Sequence, residues 1–337
     1  MRSFFRAALF LAGLLLFGWF LHRAGPREIF SAFTRLGWLA PMVLLPYALV
    51  YLADTLGWHF AFGQERQHGL RFWRLVKIRW AGEALNSVVP SAYIGGEALK
   101  VRLLTKHGVP GVNGAASVVT GKTVQTVGQL FFLALAALAL LQLTQAGSRA
   151  RLAAVLGTGA IMLALAALFF LQRHGFFSLA LRVIEKLRVP IPVPTGSRQK
   201  LREIDDRILQ FYRESRKHFL LSLGAYLAGW LLGVLEVAVI AALLGVPLHW
   251  THAVVLEAFV GVGKIFAVVV PGALGVQETG ILVLCRAVGL SDAFAMNYAI
   301  LRRGREVVFA LIGGLTIYFE ELTLKDLKRG LNVTAQK

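Results

Sequence analysis

Three arginines and a glutamate lie close together within an apolar stretch near the end of the chain. Charged side chains are costly inside a bilayer, where they usually face a cavity or an ionic partner. Only 13 apolar residues, 307–319, separate this group from Glu320, too few for a helix to cross a hydrocarbon core of about 30 Å. Either the spanning helix begins near Ala293 and holds the arginines well inside, or it crosses incompletely. The four residues are Arg302, Arg303, Arg305 and Glu306.

The spacing within this group allows two kinds of ionic contact. Arg302 and Glu306 are four residues apart, so they share a helix face and can pair, and Arg305 is three residues from Arg302. A guanidinium can also bind a phosphate through two parallel hydrogen bonds. The group therefore predicts a site that attracts the head group of an anionic lipid.

Two Pro- and Gly-containing motifs elsewhere in the chain are copies of one another. Residues 90–97 read PSAYIGGE and residues 271–278 read PGALGVQE, at an offset of 181 residues. From Val88 to Gly108, seven of 21 positions are identical at that offset. Broken apolar segments that repeat in two halves of a membrane protein point to a transport site. The motifs predict two hairpins whose turns lie near the middle of the membrane.

The glycines and glutamates of these motifs each have two interpretations. Gly95, Gly96 and Gly275 would let the backbone turn sharply and a head group approach closely, or they build the bend alone. Glu97 and Glu278 stand where each returning helix should begin. Each could stabilise its own helix N-terminus by about 0.3–1 kcal/mol, or the two could carry protons or counter-charge into a shared cavity.

Further charges correspond between the two halves. The offset pairs Lys122 with Arg303, so the first half has a matching cation, unless Lys122 extends to the cytoplasmic surface. Glu83 and Lys264 also correspond, with opposite charge. Asp54, Glu236 and Glu257 are weaker candidates for the site. Asp54 and Glu236 could instead be hydrogen-bonded carboxyls in the protein interior, and Glu257 could lie at the membrane interface.

Apolar segments long enough to span a bilayer must position these groups. The 337-residue chain is 57% hydrophobic, with a mean hydropathy of +0.65. Apolar runs of about 18 to 25 residues recur along it, which is the length of a membrane-spanning helix. The prediction is an all-α polytopic membrane protein, with a single domain, residues 1–337, six full spans and two re-entrant hairpins. The spans are 4–21, 38–62, 112–143, 152–171, 219–244 and 293–319, and the hairpins are 80–106 and 252–288.

Loop charges give the orientation. Cytoplasmic loops of membrane proteins are rich in Lys and Arg, which accounts for the net charge of +18 better than nucleic-acid binding does. The basic loop 64–79, the amphipathic segment 174–218 and both termini should therefore be cytoplasmic. The span–hairpin–span units then start from opposite sides. They form an inverted repeat, 38–125 and 219–306, within larger repeats 38–143 and 219–324.

Several other function classes lack support in the sequence. The single cysteine, Cys285, excludes an intramolecular disulfide and a cysteine-based zinc site. His59, His249 and His252 lack metal-ligand spacing, and Asp205-Asp206 has no third aspartate nearby. No nucleophile elbow, phosphate-binding loop or zinc-protease motif is present. We therefore expect neither a metal nor a cofactor, and no enzyme activity.

The motifs also carry a resemblance to a known family. The stretch GEALNSVVPSAYIGGEALKVRLL, the stretch VVPGALGVQETGILVL and an Arg-bearing last span resemble the lysylphosphatidylglycerol synthase transmembrane-region family, over residues 38–319. The GEALNS start and the Gly-Gly-Glu form are similar to its hopanoid-biosynthesis-associated branch. Lys100 is a departure, because many members have Arg after the Gly-Gly-acid, and a lysine cannot make the bidentate contact of an arginine.

The resemblance implies an inner-membrane protein that flips or transports lipid between two re-entrant helices. The leading hypothesis is a flippase for an anionic or polar-headed lipid, with a hopanoid-related lipid as the more specific candidate. The alternatives are a non-catalytic membrane partner of a lipid- or hopanoid-modifying enzyme, which would dock through 174–218, and an intramembrane enzyme on lipid-linked substrates. Membrane lipids are the expected ligands, and an oligomer is compatible with the sequence.

Overall fold

We analysed a computed structural model of the chain, which describes residues 25–63, 70–89, 94–143, 195–266 and 276–334, and isolated positions at 22 and between 156 and 167. Within these ranges the chain is helical and contains no strand, which confirms the all-α class. Three predicted features lie outside the described residues: the first span 4–21, both hairpin turns (90–93 and 267–275, which include Gly275) and the first part of 174–218. The predicted span 152–171 is described only at isolated positions.

Ten helices make up the described part of the chain. A short 3-10 turn, Gly37–Leu39, connects the first two. In chain order the helices are α1 Pro26–Leu36, α2 Pro41–Phe60, α3 Phe72–Val88, α4 Ile94–Lys106, α5 Gly111–Leu143, α6 Thr195–Glu214, α7 Arg216–Leu243, α8 Trp250–Phe266, α9 Val276–Ala287 and α10 Asp292–Thr334.

Helix lengths separate full spans from shorter arms. Among the described residues, three helices are long and apolar enough to cross a membrane, namely α2, α5 and α7. Helix α10 has 43 residues and is also long enough, although it carries the arginine group. Helices α4 and α9 have 13 and 12 residues, which is about 18–20 Å of helix. Neither can cross a core of about 30 Å, as expected for the returning arms of hairpins.

The helix boundaries repeat at the offset found in the sequence. Helices α2 to α5 correspond to α7 to α10 in the same order. Gly111 and Asp292, which begin α5 and α10, are 181 residues apart, as are Lys106 and Ala287, which end α4 and α9. Gly108 and Gly289, at the same offset, both have left-handed backbone, with φ of 87° and 78°. The duplication therefore extends to the backbone.

Helix packing interlocks the two repeats. The first hairpin helix of each repeat packs against the last helix of the other, α3 on α10 and α8 on α5. The two central helices, α2 and α7, pack against each other more extensively than any other pair. Because each of these contacts has its counterpart in the other repeat, the arrangement has an approximate two-fold symmetry.

The α2–α7 pair shows the direction of that symmetry axis. Near the start of α2, Val43 shares a buried cluster with Val237 and Ile240 of α7. At the other end of α2, the Gly57 carbonyl accepts a hydrogen bond of 2.8 Å from the Ser222 hydroxyl. The helices are therefore antiparallel. Two equivalent helices that pack antiparallel are related by an axis perpendicular to both, which lies in the membrane plane when the helices span it, as in an inverted repeat.

One predicted boundary was wrong. The basic stretch 64–79 was expected to be a polar loop, with the hairpin starting at Trp80, but α3 already begins at Phe72. Leu75, Val76 and Ile78 are buried, because the apolar residues of this stretch lie on one helical face between the basic ones. The extra turns bring Arg79 into the protein interior.

Helix α6 forms the second part of the predicted amphipathic segment. Its Ile204 and Ile208 pack against Ala116 in the first turns of α5, and its opposite face, including Lys200 and Glu203, is exposed. This is the apolar and polar division expected of a helix that lies along a protein surface.

An ionic contact joins the loop after α4 to the end of the α10 span. The Lys106 ammonium lies 2.7 Å and the His107 Nε2 3.2 Å from one carboxylate oxygen of Glu320. Burial alone would raise the pKa of Glu320, but the hydrogen bond and charge of Lys106 hold this pKa below its ordinary value of 4.5. Burial lowers the pKa of His107 below 6.5, so this ring is neutral near pH 7.

The Glu320 contact should make stability depend on pH. A carboxyl whose pKa is depressed on folding stabilises the protein above its unfolded pKa, and this contribution is lost as the pH falls through the folded pKa. We expect Glu320→Gln to lower the midpoint temperature of thermal unfolding (Tm) by about 1–3 °C at neutral pH. The difference from the unmodified protein should shrink as the pH falls below the ordinary carboxyl pKa of 4.5 and should vanish once the pH is below the lower folded pKa. Glu203→Gln, on the exposed face of α6, should leave Tm unchanged at both pH values.

Two adjacent glycines of α10 provide a matched test of the α3–α10 packing. A Cβ on Gly313 would lie 2.5 Å from the Trp80 carbonyl oxygen, whereas a Cβ on Gly314 would meet nothing within 4 Å. Gly313→Ala should therefore cost about 1–3 kcal/mol and lower Tm, whereas Gly314→Ala should leave Tm equal or slightly higher, because alanine favours a helix. Equal effects in thermal unfolding would contradict this packing.

Candidate functional site

The structure brings most of the predicted site residues into two charged clusters, one in each repeat. Two predicted residues cannot be placed, because Gly275 is outside the described residues and Lys264 is described in α8 without its side chain. We call Asp54, Arg79, Glu83, Glu97, Lys100, Lys122 and Gln125 the repeat-one cluster. We call Glu236, Glu257, Gln277, Glu278, Arg302, Arg303, Arg305 and Glu306 the repeat-two cluster.

In the repeat-one cluster, Lys100 joins the two helices of the hairpin. Its ammonium lies 2.8 Å from Glu83 on α3 and 3.1 Å from Glu97 in the first turn of α4. The Lys100 side chain is buried. Because a buried ammonium needs paired charges, the two carboxylates make this otherwise costly position acceptable, and the contact fixes α4 against α3.

The same cluster continues across two further helices. Arg79 lies 2.7 Å from Asp54 on α2 and 4.0 Å from Glu83 on its own helix. Gln125 on α5 donates a hydrogen bond of 3.1 Å to Asp54. A continuous polar path therefore runs from α5 through α2 and α3 to α4. At its end Lys122 is exposed and lies 3.5 Å from the Gln125 side-chain oxygen.

Gly96 lets α4 approach α3 closely, while the approach of a head group to this glycine stays a prediction. Its N–H donates a hydrogen bond of 2.8 Å to the Asn86 side-chain oxygen. A Cβ on Gly96 would lie 2.2 Å from the Gly82 carbonyl oxygen, so a larger residue would push α4 away from α3. Gly95, beside it in the first turn of α4, is half-buried.

In the repeat-two cluster, Arg303 joins α10 to the short helix α9. Its Nε lies 2.9 Å from Glu278 in the first turn of α9, and its Nη1 lies 3.0 Å from Glu306. Gln277 donates a hydrogen bond of 3.3 Å to the other oxygen of Glu306. Arg303 thus presents separate edges of its guanidinium to two carboxylates.

Arg302 faces a different helix. Its Nη1 lies 2.6 Å from Glu257 on α8 and also donates to the Tyr298 hydroxyl one turn earlier on α10. Arg302 and Glu257 are both buried. The pair therefore holds the first helix of the second hairpin against α10.

Arg305 is the most enclosed cation among the described residues, being fully buried. Its Nη1 donates a hydrogen bond to Glu236 on α7, which is equally buried. The guanidinium also lies over the ring of Tyr47 on α2, 3.5 Å from the ring centre, a favourable cation–π contact. Arg305 therefore contacts both central helices and connects the two repeats.

The two clusters correspond through the 181-residue offset, but several corresponding positions carry different side chains. Lys122 and Gln125 occupy the positions of Arg303 and Glu306, and each pair is in contact within its own helix. Glu97 occupies the position of Glu278. Its partner Lys100 corresponds to Ile281, so the buried ammonium has no counterpart in repeat two.

The two clusters hold a nearly equal number of carboxylates and cations, whereas the sequence drew attention to the arginines. Among the described side chains, the carboxylates of the two clusters outnumber the cations by one. The arginines were expected to attract an anionic head group, but each is already paired with at least one carboxylate. An anion that bound one of these arginines would therefore compete with a carboxylate. The described residues contain no group of three or more His, Cys, Asp or Glu side chains that could hold a metal ion.

Accessibility distinguishes the members of the clusters. The arginines of α10 and Lys100 are buried, whereas the Glu278 side chain is 38% exposed and Lys122 is exposed. The most exposed charged side chain is therefore a cation, Lys122, in the repeat-one cluster and an anion, Glu278, in the repeat-two cluster.

Some cluster members were missed or ranked low from the sequence. Arg79 was assigned to a loop, and Gln125 was not considered, although the offset places it at the position of Glu306. Asp54, Glu236 and Glu257 were ranked as weaker candidates, yet each holds an arginine. The signal available in the sequence was a charged residue inside an apolar segment. Such a residue usually has an ionic partner, but the sequence does not show which residue that partner is.

These observations define the class of protein: an all-helical, polytopic membrane protein with paired charges inside a two-fold repeat. The family profile described as the lysylphosphatidylglycerol synthase transmembrane region matches residues 5–314. The chain therefore belongs to that family, as its motifs indicated. Searches of curated proteins and of solved structures found no match.

The enclosed Arg305–Glu236 pair gives a test of the site's structure. Removing one partner leaves an uncompensated buried charge, which costs about 3–5 kcal/mol, whereas replacing both with apolar residues is often neutral. Arg305→Met alone should therefore lower Tm strongly, and adding Glu236→Leu should restore most of the loss. Arg286→Gln, which breaks an exposed pair with Asp292, should change Tm little. Failure of the double variant to recover would contradict the pairing.

Proposed function

We propose that this protein moves an anionic or polar-headed lipid across the membrane as a flippase, with the head group passing between the two repeats. The observation that carries this proposal is the Arg303–Glu278 pair. It joins a spanning helix to a helix too short to span, and one of its members is accessible. The planar guanidinium of Arg303 can donate two parallel hydrogen bonds to a phosphate-bearing head group that takes the place of Glu278.

The distribution of charge supports the same proposal. A fold that only anchored a domain in the bilayer would not need the six described cations of the two clusters, since intramembrane charge is expensive and usually marks a substrate or ion path. The clusters lie at the starts of α4 and α9, where a broken-helix transporter places its substrate. Helix N-termini there also favour anionic groups.

The proposal has finer parts that go beyond membership of the family. The chain would act without catalysis, so no residue is assigned to bond making or breaking, and membrane lipids would be its ligands. It would lie in a bacterial inner membrane with both termini cytoplasmic. A hopanoid-related lipid is the more specific substrate hypothesis, and competition between lipid classes in a transport assay decides it.

A reconstitution assay tests the function. Purified protein in phosphatidylcholine vesicles that contain fluorescently labelled phosphatidylglycerol should expose inner-leaflet label to the membrane-impermeant reductant dithionite. Arg303→Gln should slow this exposure about tenfold or more, because charge-assisted hydrogen bonds contribute about 1.5–3 kcal/mol. Lys200→Gln, on the exposed face of α6, should transport at the unmodified rate.

Two outcomes would count against the proposal. If vesicles with protein keep labelled lipid on its original leaflet, the flippase assignment fails. If Arg303→Gln and Lys200→Gln slow transport equally, the assignment of the site to Arg303 fails, even with transport confirmed.

A further inference from the structure

The two members of the Arg303–Glu278 pair differ in accessibility. Arg303 has a side-chain exposure of 3%, against 38% for Glu278. The accessible surface of the pair therefore belongs to the carboxylate, although the group with affinity for phosphate is the guanidinium. For a phosphate to contact Arg303 directly, the Glu278 carboxylate must first give up its hydrogen bonds to the guanidinium.

Displacement of the carboxylate has an electrostatic cost. A phosphate that replaced an ionised Glu278 would place a second negative charge beside it, close to Glu306, which also contacts Arg303. A carboxylate separated from its partner inside the membrane is costly, because neither lipid nor the protein interior compensates its charge. Protonation removes both costs, since a neutral carboxyl neither repels the phosphate nor needs the guanidinium.

We propose that head-group phosphate binds Arg303 together with one proton, which is taken up by the Glu278 carboxylate. This inference rests on the proposed function and adds its regulation. On binding, the Glu278 oxygen forms an O–H bond with a proton that the buffer acid releases, and the Arg303 N–H groups transfer their hydrogen bonds to phosphate oxygens. One negative charge is neutralised as another arrives, so the charge of the cluster stays constant.

Other charged groups of the packed helices set the surroundings of Glu278. The two helices that pack against α9 are α8 and α10. Of their charges, Arg302 and Arg305 are held by Glu257 and Glu236. Glu306 shares Arg303 with Glu278 and lies 3.6 Å from Arg305. A further charge on these helices is Lys264 on α8, whose side chain is outside the described residues. Glu306 lies near both Arg303 and Arg305 and is 13% exposed, whereas Glu278 is 38% exposed, so Glu278 is the carboxylate that leaves Arg303 and takes the proton.

The corresponding carboxylate of repeat one is unsuited to this role. Glu97 lies beside the buried Lys100 ammonium, which Glu83 also contacts. Protonation of Glu97 would leave a buried ammonium with one carboxylate fewer, and Lys100 has no open edge to offer a phosphate. The proton step is therefore confined to repeat two, and the two copies of the motif have different functions.

Calorimetry in two buffers counts the protons taken up. The purified full chain in detergent is titrated with dihexanoyl phosphatidylglycerol, and the same titration into protein-free detergent is subtracted. Buffers of different ionisation enthalpy then give the number of protons bound per ligand. We expect about one proton at neutral pH, with a Kd that weakens by up to about tenfold per pH unit as the pH rises. A titration with inorganic phosphate distinguishes recognition of a lipid from recognition of any phosphate.

Variants assign the proton to its residue. Glu278→Gln should bind the lipid without proton uptake and with a Kd independent of pH, and it should bind more tightly than the unmodified protein at high pH. Glu203→Gln, on the exposed face of α6, should keep the unmodified proton count. Arg303→Gln should abolish binding of the lipid.

The possible results separate this inference from the proposed function. Binding by the unmodified protein without proton uptake, or no binding at all, overturns the inference without any variant. Proton uptake that persists in Glu278→Gln overturns the assignment to that residue. Lipid transfer in vesicles is measured separately, so transfer without proton uptake leaves the flippase proposal standing, and proton-linked binding without transfer removes the flippase proposal alone.

Discussion

Pairing of buried charges is the constraint on which the rest of this structure depends. Each described arginine of the clusters contacts a carboxylate, because an unpaired ion in a low-dielectric interior is far too costly. Most of these pairs also join two helices. The pairs therefore position the helices. They also hold cations inside the membrane, and in the proposed mechanism a ligand binds such a cation by taking the place of its carboxylate.

The inverted repeat explains where the partners come from. In each repeat the first hairpin helix packs on the last helix of the other repeat, and each cluster includes a carboxylate of one central helix, Asp54 of α2 or Glu236 of α7. Arg305 illustrates the result, because it contacts Glu236 from one repeat and Tyr47 from the other. Sequence divergence then gave the two copies different chemistry, with Lys100 enclosed in one and Glu278 accessible in the other.

Much of this arrangement could be predicted from the sequence. The lengths of the apolar runs and the 181-residue offset predicted the helices and their duplication, because these are local or linear properties. The partner of each charge could not be predicted, since Asp54 and Arg79 come together through helix packing. Arg79 was misassigned because a basic stretch resembles a loop until the buried face of α3 is recognised. The charge balance of the two clusters follows only from the contacts.

The most direct measurement of the central claim is an experimental structure of the protein in nanodiscs that contain phosphatidylglycerol, at mildly acidic pH. The account predicts a phosphate within hydrogen-bonding distance of Arg303, with the Glu278 carboxyl turned away from the guanidinium and the Arg305–Glu236 pair intact. A lipid bound elsewhere while Arg303 keeps its contacts with Glu278 and Glu306 would contradict it.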